Sequence, residues 1–311
     1  MDPKNIARIE ISLLALAVAL FLWWSYPKDG SRQSEPLIAV GTTTLQIPAF
    51  PDTPIEARSA YVYDVLKKKM LYGKEPELQW PLASLTKLMS ALAASSLVPD
   101  YMLVRITAED IREEGDTGLY IDEQWNIRRL IDYSLITSSN DGIRAVATIG
   151  GSLISATSTA PVDIFVERMN ALAREIGLHQ TYFLNHSGLD ISKTQAGGYG
   201  SAKDIALLVD YMLKKDPHLL EGTSFSKIVI ASKTAPHEAV NTDKAILDIP
   251  NVLASKTGYT DLSGGNVVIA FNAGLDHPII IAVLGSSYDG RFADLEALAS
   301  STLAYLARSA R

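Results

Sequence analysis

Strand-type residues occupy two stretches far apart in the chain, and helical periodicity fills the space between them. Ser59–Asp64 reads SAYVYD. Met70–Gly73 reads as the end of a second, paired strand, with Lys67, Lys68 and Lys69 near the turn. Strand signals return only late, at Lys227–Ala231, Val252–Thr260, Asn266–Asn272 and Pro278–Leu284. After Pro81, apolar residues at 85, 88, 89, 92 and 97 follow a helical period, and further helical stretches cover about 128–137, 140–149, 162–177 and 202–215. A last segment, 291–307, repeats apolar residues at 292, 295, 298, 299, 303 and 306 and reads as a core-packing helix. This order predicts an α/β fold: an antiparallel sheet built from both chain ends, with flanking helices and an inserted helical subdomain at about 85–215.

Ahead of this domain, residues 11–24 read ISLLALAVALFLWW. As a helix this run is about 21 Å long, short of the roughly 30 Å hydrocarbon core; extension over residues 6–26 brings it to about 31 Å. Trp23, Trp24 and Tyr26 suit an interfacial aromatic belt, and no small-x-small cleavage triplet follows directly. An uncleaved membrane anchor over 1–26 is the expectation, a cleaved signal peptide or a buried core helix being the alternatives. Lys4 and Arg8 then place the N-terminus in the cytoplasm and the rest of the chain outside it. Residues 27–55 hold prolines at 27, 36, 48, 51 and 54 and read as a linker to a domain at 56–311.

Apolar residues make up 47% and charged residues 20%, enough for a sizeable core. A net charge of −7 argues against nucleic-acid binding through phosphates. Absence of cysteine excludes disulfides, thiolate metal sites and a cysteine nucleophile. His179, His186, His218, His237 and His277 show no HxxxH or HxH spacing, so no metal site is expected.

Three short motifs carry the chemistry. They are Ser84-Leu85-Thr86-Lys87, Ser138-Ser139-Asn140 and Lys256-Thr257-Gly258, in that order. Each alone has a plain structural reading: a solvated helix face, a helix cap or a strand-end turn. The chain also carries a second S-x-x-K at Ser224–Lys227 and a near-repeat of the third motif at Lys233-Thr234-Ala235. Ser84 is distinguished by its place just after Pro81, at the predicted start of a helix. Three residues' separation puts Ser84 and Lys87 on one helix face. A serine hydroxyl needs a neighbour to take its proton, and a lysine can do so only when neutral. Burial and a second cation, for which Lys256 is the candidate, both favour the neutral amine. Lys256, Thr257 and Gly258 lie in a strand-like segment along which an extended peptide could pair, with Gly258 permitting close approach.

Together the motifs resemble those of the penicillin-interacting serine enzymes. Within that group they most resemble the D-alanyl-D-alanine carboxypeptidases, the low-molecular-mass penicillin-binding proteins. Flanking residues carry the likeness further: Pro81 to Met89, Ser139-Asn140-Asp141-Gly142, Ser201 to Ala206 and Lys256 to Asp261. Two departures stand out. The family's S-G-N is S-S-N here, and its asparagine-proline-histidine-glycine-leucine loop reads Asn185-His186-Ser187-Gly188-Leu189.

The resemblance implies a β-lactamase/D,D-peptidase-like fold and acyl transfer without a cofactor. Ser84 would attack the carbonyl between two terminal D-alanines of a peptidoglycan stem peptide, with Lys87 as general base. Ser138, helped by Asn140 and Lys256, would relay a proton to the leaving amine. Backbone N–H groups of Ser84 and Tyr259 would form the oxyanion hole, and Lys256, Thr257, Gly258, Tyr259 and Arg291 would bind substrate. Arg291 has the alternative of a surface arginine at a helix start. β-Lactams would be covalent inhibitors. Three other functions stay open: a cross-link D,D-endopeptidase, a serine β-lactamase, whose candidate water-activating Glu175 reads better as a solvated glutamate on an amphipathic helix, and a non-catalytic peptidoglycan-binding or sensor protein. The expected location is a single-pass attachment to the cell membrane, with the catalytic domain on its outer side.

Overall fold

A computed structural model describes residues 16–25, 49–115 and 118–309. The chain divides into Met1–Gln46 and Ile47–Arg311. In the first unit, α1 (residues 16–24) is helical with exposed side chains. No helix among the described residues is long and apolar enough to cross a membrane. Most of the anchor expected over 1–26 and of the linker expected over 27–55 lies outside the described residues.

The second unit begins with β1 (Ser59–Asp64), β2 (Lys69–Lys74), β3 (Trp80–Pro81) and α2 (Thr86–Leu97). Next come β4 (Leu103–Arg105), β5 (Gln124–Asn126), α3 (Ile127–Thr137), α4 (Asn140–Ile154) and α5 (Pro161–Ile176). Then follow β6 (Tyr182–Phe183), β7 (Gly198–Gly200), α6 (Ala202–Lys215), β8 (Lys227–Ala231) and β9 (Pro236–Val240). The chain ends with β10 (Val252–Thr260), β11 (Gly264–Asn272), β12 (Pro278–Ser286) and α7 (Gly290–Ser309).

The main sheet has the order β10-β11-β12-β1-β2. β1 pairs antiparallel with β12, from Ser59 opposite Leu284 to Asp64 opposite Ile279, so the sheet is closed from both chain ends as expected. Its central strands are buried on both faces, which explains their near-continuous apolar sequence. Ile279, Ile281 and Val283 pack with Phe292, Leu295 and Leu298 of α7. The alternate residues Ile280, Ala282 and Leu284 join the larger core containing α2 and α6.

The helices start where their caps place them. Asn126 accepts from the N–H groups of Arg128 and Arg129, Ser139 from that of Gly142, and Ser201 from that of Asp204. Two small sheets, β3-β7-β6 and β4-β5, have no counterpart in the sequence reading, and of a third, β8-β9, only the first strand, Lys227–Ala231, was expected. Most of their strands are only two or three residues long, too short to show a period of two.

β3 fixes the start of α2 against the main sheet. Trp80 Nε1 donates to the Ser263 carbonyl at 2.7 Å, Asn266 Nδ2 to the Pro81 carbonyl at 2.9 Å, and Leu82 N–H to the Gly198 carbonyl at 2.9 Å. On the far face, the buried carboxylate of Asp294 ties α7 to the segment before β1 and to the end of β12 beside it. It accepts from Glu56 N–H at 2.8 Å, Ala57 N–H at 2.9 Å and Ser286 Oγ at 2.7 Å. Asp294→Ala strands two backbone donors, and a loss of about 2–6 kcal/mol is expected from the cost of unpaired buried groups. Denaturant unfolding checks this; a change below about 0.5 kcal/mol, the usual range for surface substitutions, would contradict it.

Candidate active site

The 3₁₀ turn Ala83–Leu85 carries Ser84 and runs directly into α2, where Lys87 follows. Lys87 is 0% exposed. Its Nζ lies 2.8 Å from Ser84 Oγ and donates to the Ser187 carbonyl at 3.0 Å. Ala83 has a φ of +48°, a left-handed conformation that costs energy for a residue with a Cβ. Gly188 makes room for that turn. Its own φ is +84°, and a Cβ there would sit 1.8 Å from the Ala83 carbonyl oxygen.

Ser138 ends α3 in the left-handed conformation, with φ 62° and ψ 31°. The next residue caps α4: Ser139 Oγ accepts from Gly142 N–H at 3.0 Å, so the middle position of S-S-N does structural work here. Asn140 opens α4. Its Nδ2 donates to the Glu114 carbonyl at 2.6 Å, while its buried Oδ1 has no protein partner. Arg144 holds the neighbouring loop through Glu109 and, at 2.7 Å, Glu113.

Lys256 sits in β10 and is 1% exposed. Its Nζ donates to Ser138 Oγ at 2.9 Å and to the Thr257 carbonyl at 2.8 Å. Thr257 Oγ1 lies 2.6 Å from Thr242 Oγ1. At Gly258 the strand runs against the serine turn: a Cβ would lie 2.9 Å from the Leu82 carbonyl oxygen and 3.0 Å from Ser84 N. Tyr259 is about half exposed, its ring edge-on to Tyr288 at 5.0 Å. Ser84 with Lys87, Ser138 with Lys256, and the β10 backbone thus come together.

Arg291 is not a surface arginine. It is 4% exposed, donates from Nη1 to the Gly258 carbonyl at 2.9 Å, and stacks 4.6 Å from the Tyr288 ring centre. It braces β10 at the residue that touches the serine turn.

Burial disfavours charge on both lysines. Lys256 is pushed down to about 7, chiefly by burial and then by the Arg291 charge, with Asp243 acting in the opposite sense. Lys87 is held well below the ordinary lysine range by burial and by the Lys256 charge. His186, in the departing loop, is pushed down to about 3 by burial and by Lys87 and Arg144, so its imidazole is neutral.

The remaining sequence candidates lie elsewhere. Ser224 Oγ donates to the Glu221 carbonyl at 2.7 Å, and Lys227 pairs with Glu238 at 2.6 Å. Lys233 and Thr234 lie between β8 and β9. Glu175 pairs with Arg168 at 2.6 Å on an exposed side of α5. Sequence reasoning missed Ser187, Thr242 and Asp243, which hold Lys87, Thr257 and, through Ser255, the strand beneath Lys256. Only Ser187 had a signal, its place in the Asn185–Leu189 loop. Among the described residues no cluster of acidic and histidine side chains could hold a metal ion.

The S11 peptidase family model, described as D-alanyl-D-alanine carboxypeptidase, matches residues 44–287. D-alanyl-D-alanine carboxypeptidase DacF of Bacillus subtilis is 29% identical over 213 residues, covering 66% of this chain and 51% of the relative. This chain thus spans about half the length of that relative. D-alanyl-D-alanine endopeptidase of Haemophilus influenzae is 28% identical over 217 residues, 68% of this chain and 69% of the relative. The ampicillin-bound crystal structure of penicillin-binding protein D2 from Listeria monocytogenes superimposes with a TM-score of 0.66 at 26% identity, covering 81% of this chain and 99% of that one. With the family model matching over most of its length, this chain belongs to the S11 peptidases, the D-alanyl-D-alanine carboxypeptidase family.

Proposed function

We propose that the chain is a serine D-alanyl-D-alanine carboxypeptidase, acting on peptidoglycan stem peptides through an acyl-enzyme and acylated by β-lactams at the same serine. The observation that carries this is the 2.8 Å approach of Ser84 Oγ to a fully buried lysine amine whose charged form is disfavoured by burial and by the Lys256 charge. Neutral Lys87 takes the Ser84 proton as Oγ attacks the carbonyl between the two terminal D-alanines. Backbone N–H groups of Ser84 and Tyr259 receive the developing oxyanion. Ser138, bonded to Lys256, passes a proton to the leaving amine, and Asn140 orients the peptide. The substrate chain pairs along β10, its terminal carboxylate near Lys256 and Thr257, with Arg291 positioning that strand. Water then releases the acyl group.

Cross-link endopeptidase activity uses the same steps and is the second reading, favoured by the endopeptidase relative. Comparing D-alanine release from a pentapeptide with cleavage of a cross-linked dimer separates the two. A membrane anchor over 1–26 and a linker over 27–55, leading to an extracytoplasmic domain, belong to the same proposal. They are supported by the apolar run at 11–24 and the exposed Trp23 and Trp24. Carbonate extraction of cell membranes tests it: release of the full chain into the soluble fraction would refute the anchor.

Ser84→Ala should abolish fluorescent-penicillin labelling and lower D-alanine release by about four orders of magnitude or more, the usual cost of removing a nucleophile. Lys87→Ala should be nearly as damaging and Ser224→Ala nearly neutral; the reverse pattern would move the nucleophile to the second S-x-x-K.

The kcat/KM profile against pH should be a bell. Lys87 must be neutral, so activity is lost as pH falls through its depressed pKa. Lys256 must be charged, so activity is also lost as pH rises past about 7 in the free enzyme. The residual activity of Lys256→Met should lack the alkaline limb; an unchanged limb would assign it to another group.

A further inference from the structure

At one end of the main sheet two hairpin turns lie side by side. β1 runs into β2 through residues 65–68, and β11 into β12 through residues 273–277. Pairing of β12 with β1 makes the two turns neighbours, about 10 Å apart at the roughly 4.8 Å spacing of strands. Val65 N–H donates to the Pro278 carbonyl at 3.2 Å, and His277 Nε2 lies 3.0 Å from the buried Asp64 carboxylate, so each turn is fixed to the other. Their tips hold apolar side chains in solvent: Leu275 is 97% exposed, Leu66 64% and Met70 49%. Lys67, Lys68 and Lys69 are exposed among them, and Asp276 is the one exposed carboxylate on the two turns. Single exposed apolar residues are ordinary. Three of them beside a run of lysines, on a chain of net charge −7, form a patch opposite in charge to the molecule as a whole.

We propose that these two turns dock on the surface of an anionic lipid bilayer, Leu66, Met70 and Leu275 entering the headgroup layer and Lys67, Lys68 and Lys69 meeting lipid phosphates. At such an interface the apolar groups leave water while each ammonium finds an anionic headgroup. The side chains project from turn tips rather than lining a groove, which suits a broad, fluid surface. The serine turn lies away from this end of the sheet, packed on the opposite ends of β10 and β11 through Gly258 and Asn266. Docking therefore turns the Ser84 cleft away from the bilayer. For a stem-peptide hydrolase, the reading on which this consequence rests, that direction is toward the cell wall. The docking itself requires no anchor over residues 1–26.

The chain has no cysteine, so a single introduced one reports on its own position. Leu275→Cys and Leu66→Cys in the full chain, each labelled with an environment-sensitive NBD fluorophore, should brighten and shift to the blue with phosphatidylglycerol-rich vesicles, and far less with phosphatidylcholine vesicles. Tyr182→Cys, on β6 in the small sheet that holds the serine turn, should respond to neither. Lys67→Gln, Lys68→Gln and Lys69→Gln together should remove most of the response. Raising salt from about 0.1 M to about 1 M should do the same, since the screening length falls from about 10 Å to about 3 Å. Sedimentation with phosphatidylcholine vesicles reads the anchor separately, and D-alanine release from a pentapeptide reads the hydrolase. A tethered, active chain with silent probes would thus overturn the docking alone. An equal response at Tyr182 or one that survives the lysine changes would also overturn it. So would a response that appears without vesicles and grows with protein concentration, which would assign the turns to a second copy of the chain.

Discussion

Two lysine amines share one water-poor cleft, and both cannot be charged cheaply. Lys87 and Lys256 are almost completely buried, and the charge on Lys256 disfavours a proton on Lys87. Burial thus disfavours the charged form of both amines, and Lys256, bonded to Ser138, is pushed down to about 7. In the proposed mechanism the assignment of base and acid follows from dielectric and distance rather than from residue type. Asp243 and Arg291, on opposite sides of this balance, tune the second lysine from beneath and behind the strand.

Keeping those amines in place requires a backbone that gives up comfort at two points. Ala83 and Ser138 both sit in the left-handed region, one just before Ser84 and the other on the serine bonded to Lys256. Such conformations persist only when the surroundings over-determine them. Gly188 supplies the space for the first, and the Ser139 cap pins the second against α4. Placing Gly258 directly on the serine turn then sets the cleft width, since any side chain there would push β10 away.

Much of this was legible in the residues. Strand-type residues at Ser59–Asp64 and Pro278–Leu284 pointed to a sheet closed from both chain ends, and the five long helices of the second unit outside α7 fell near their predicted places. Ser84, Lys87, Ser138 and Lys256 were visible because each lies in a motif whose flanks also match a family. Arg291 was ambiguous because one arginine before a helix looks the same whether it faces solvent or a strand; only burial distinguishes them. Thr242 and Asp243 were invisible, since their partners Thr257 and Ser255 lie more than ten residues on and no local pattern encodes the contact. The Asn185–Leu189 loop was read as a departure. Its third residue contributes a backbone carbonyl to Lys87, a role that does not depend on its side chain.

The pairing of Ser59 with Leu284 has a consequence for biosynthesis. β1 is made early, yet one of its two neighbours is among the last strands to emerge, and every helix bearing the serines and Lys87 lies in the interval. Contacts of such sequence separation form slowly, because a long loop must close before they reward it. The nascent chain therefore holds Ser84 and Lys87 without Lys256 beside them until β10 to β12 have been made, and the cleft assembles only as those strands pair.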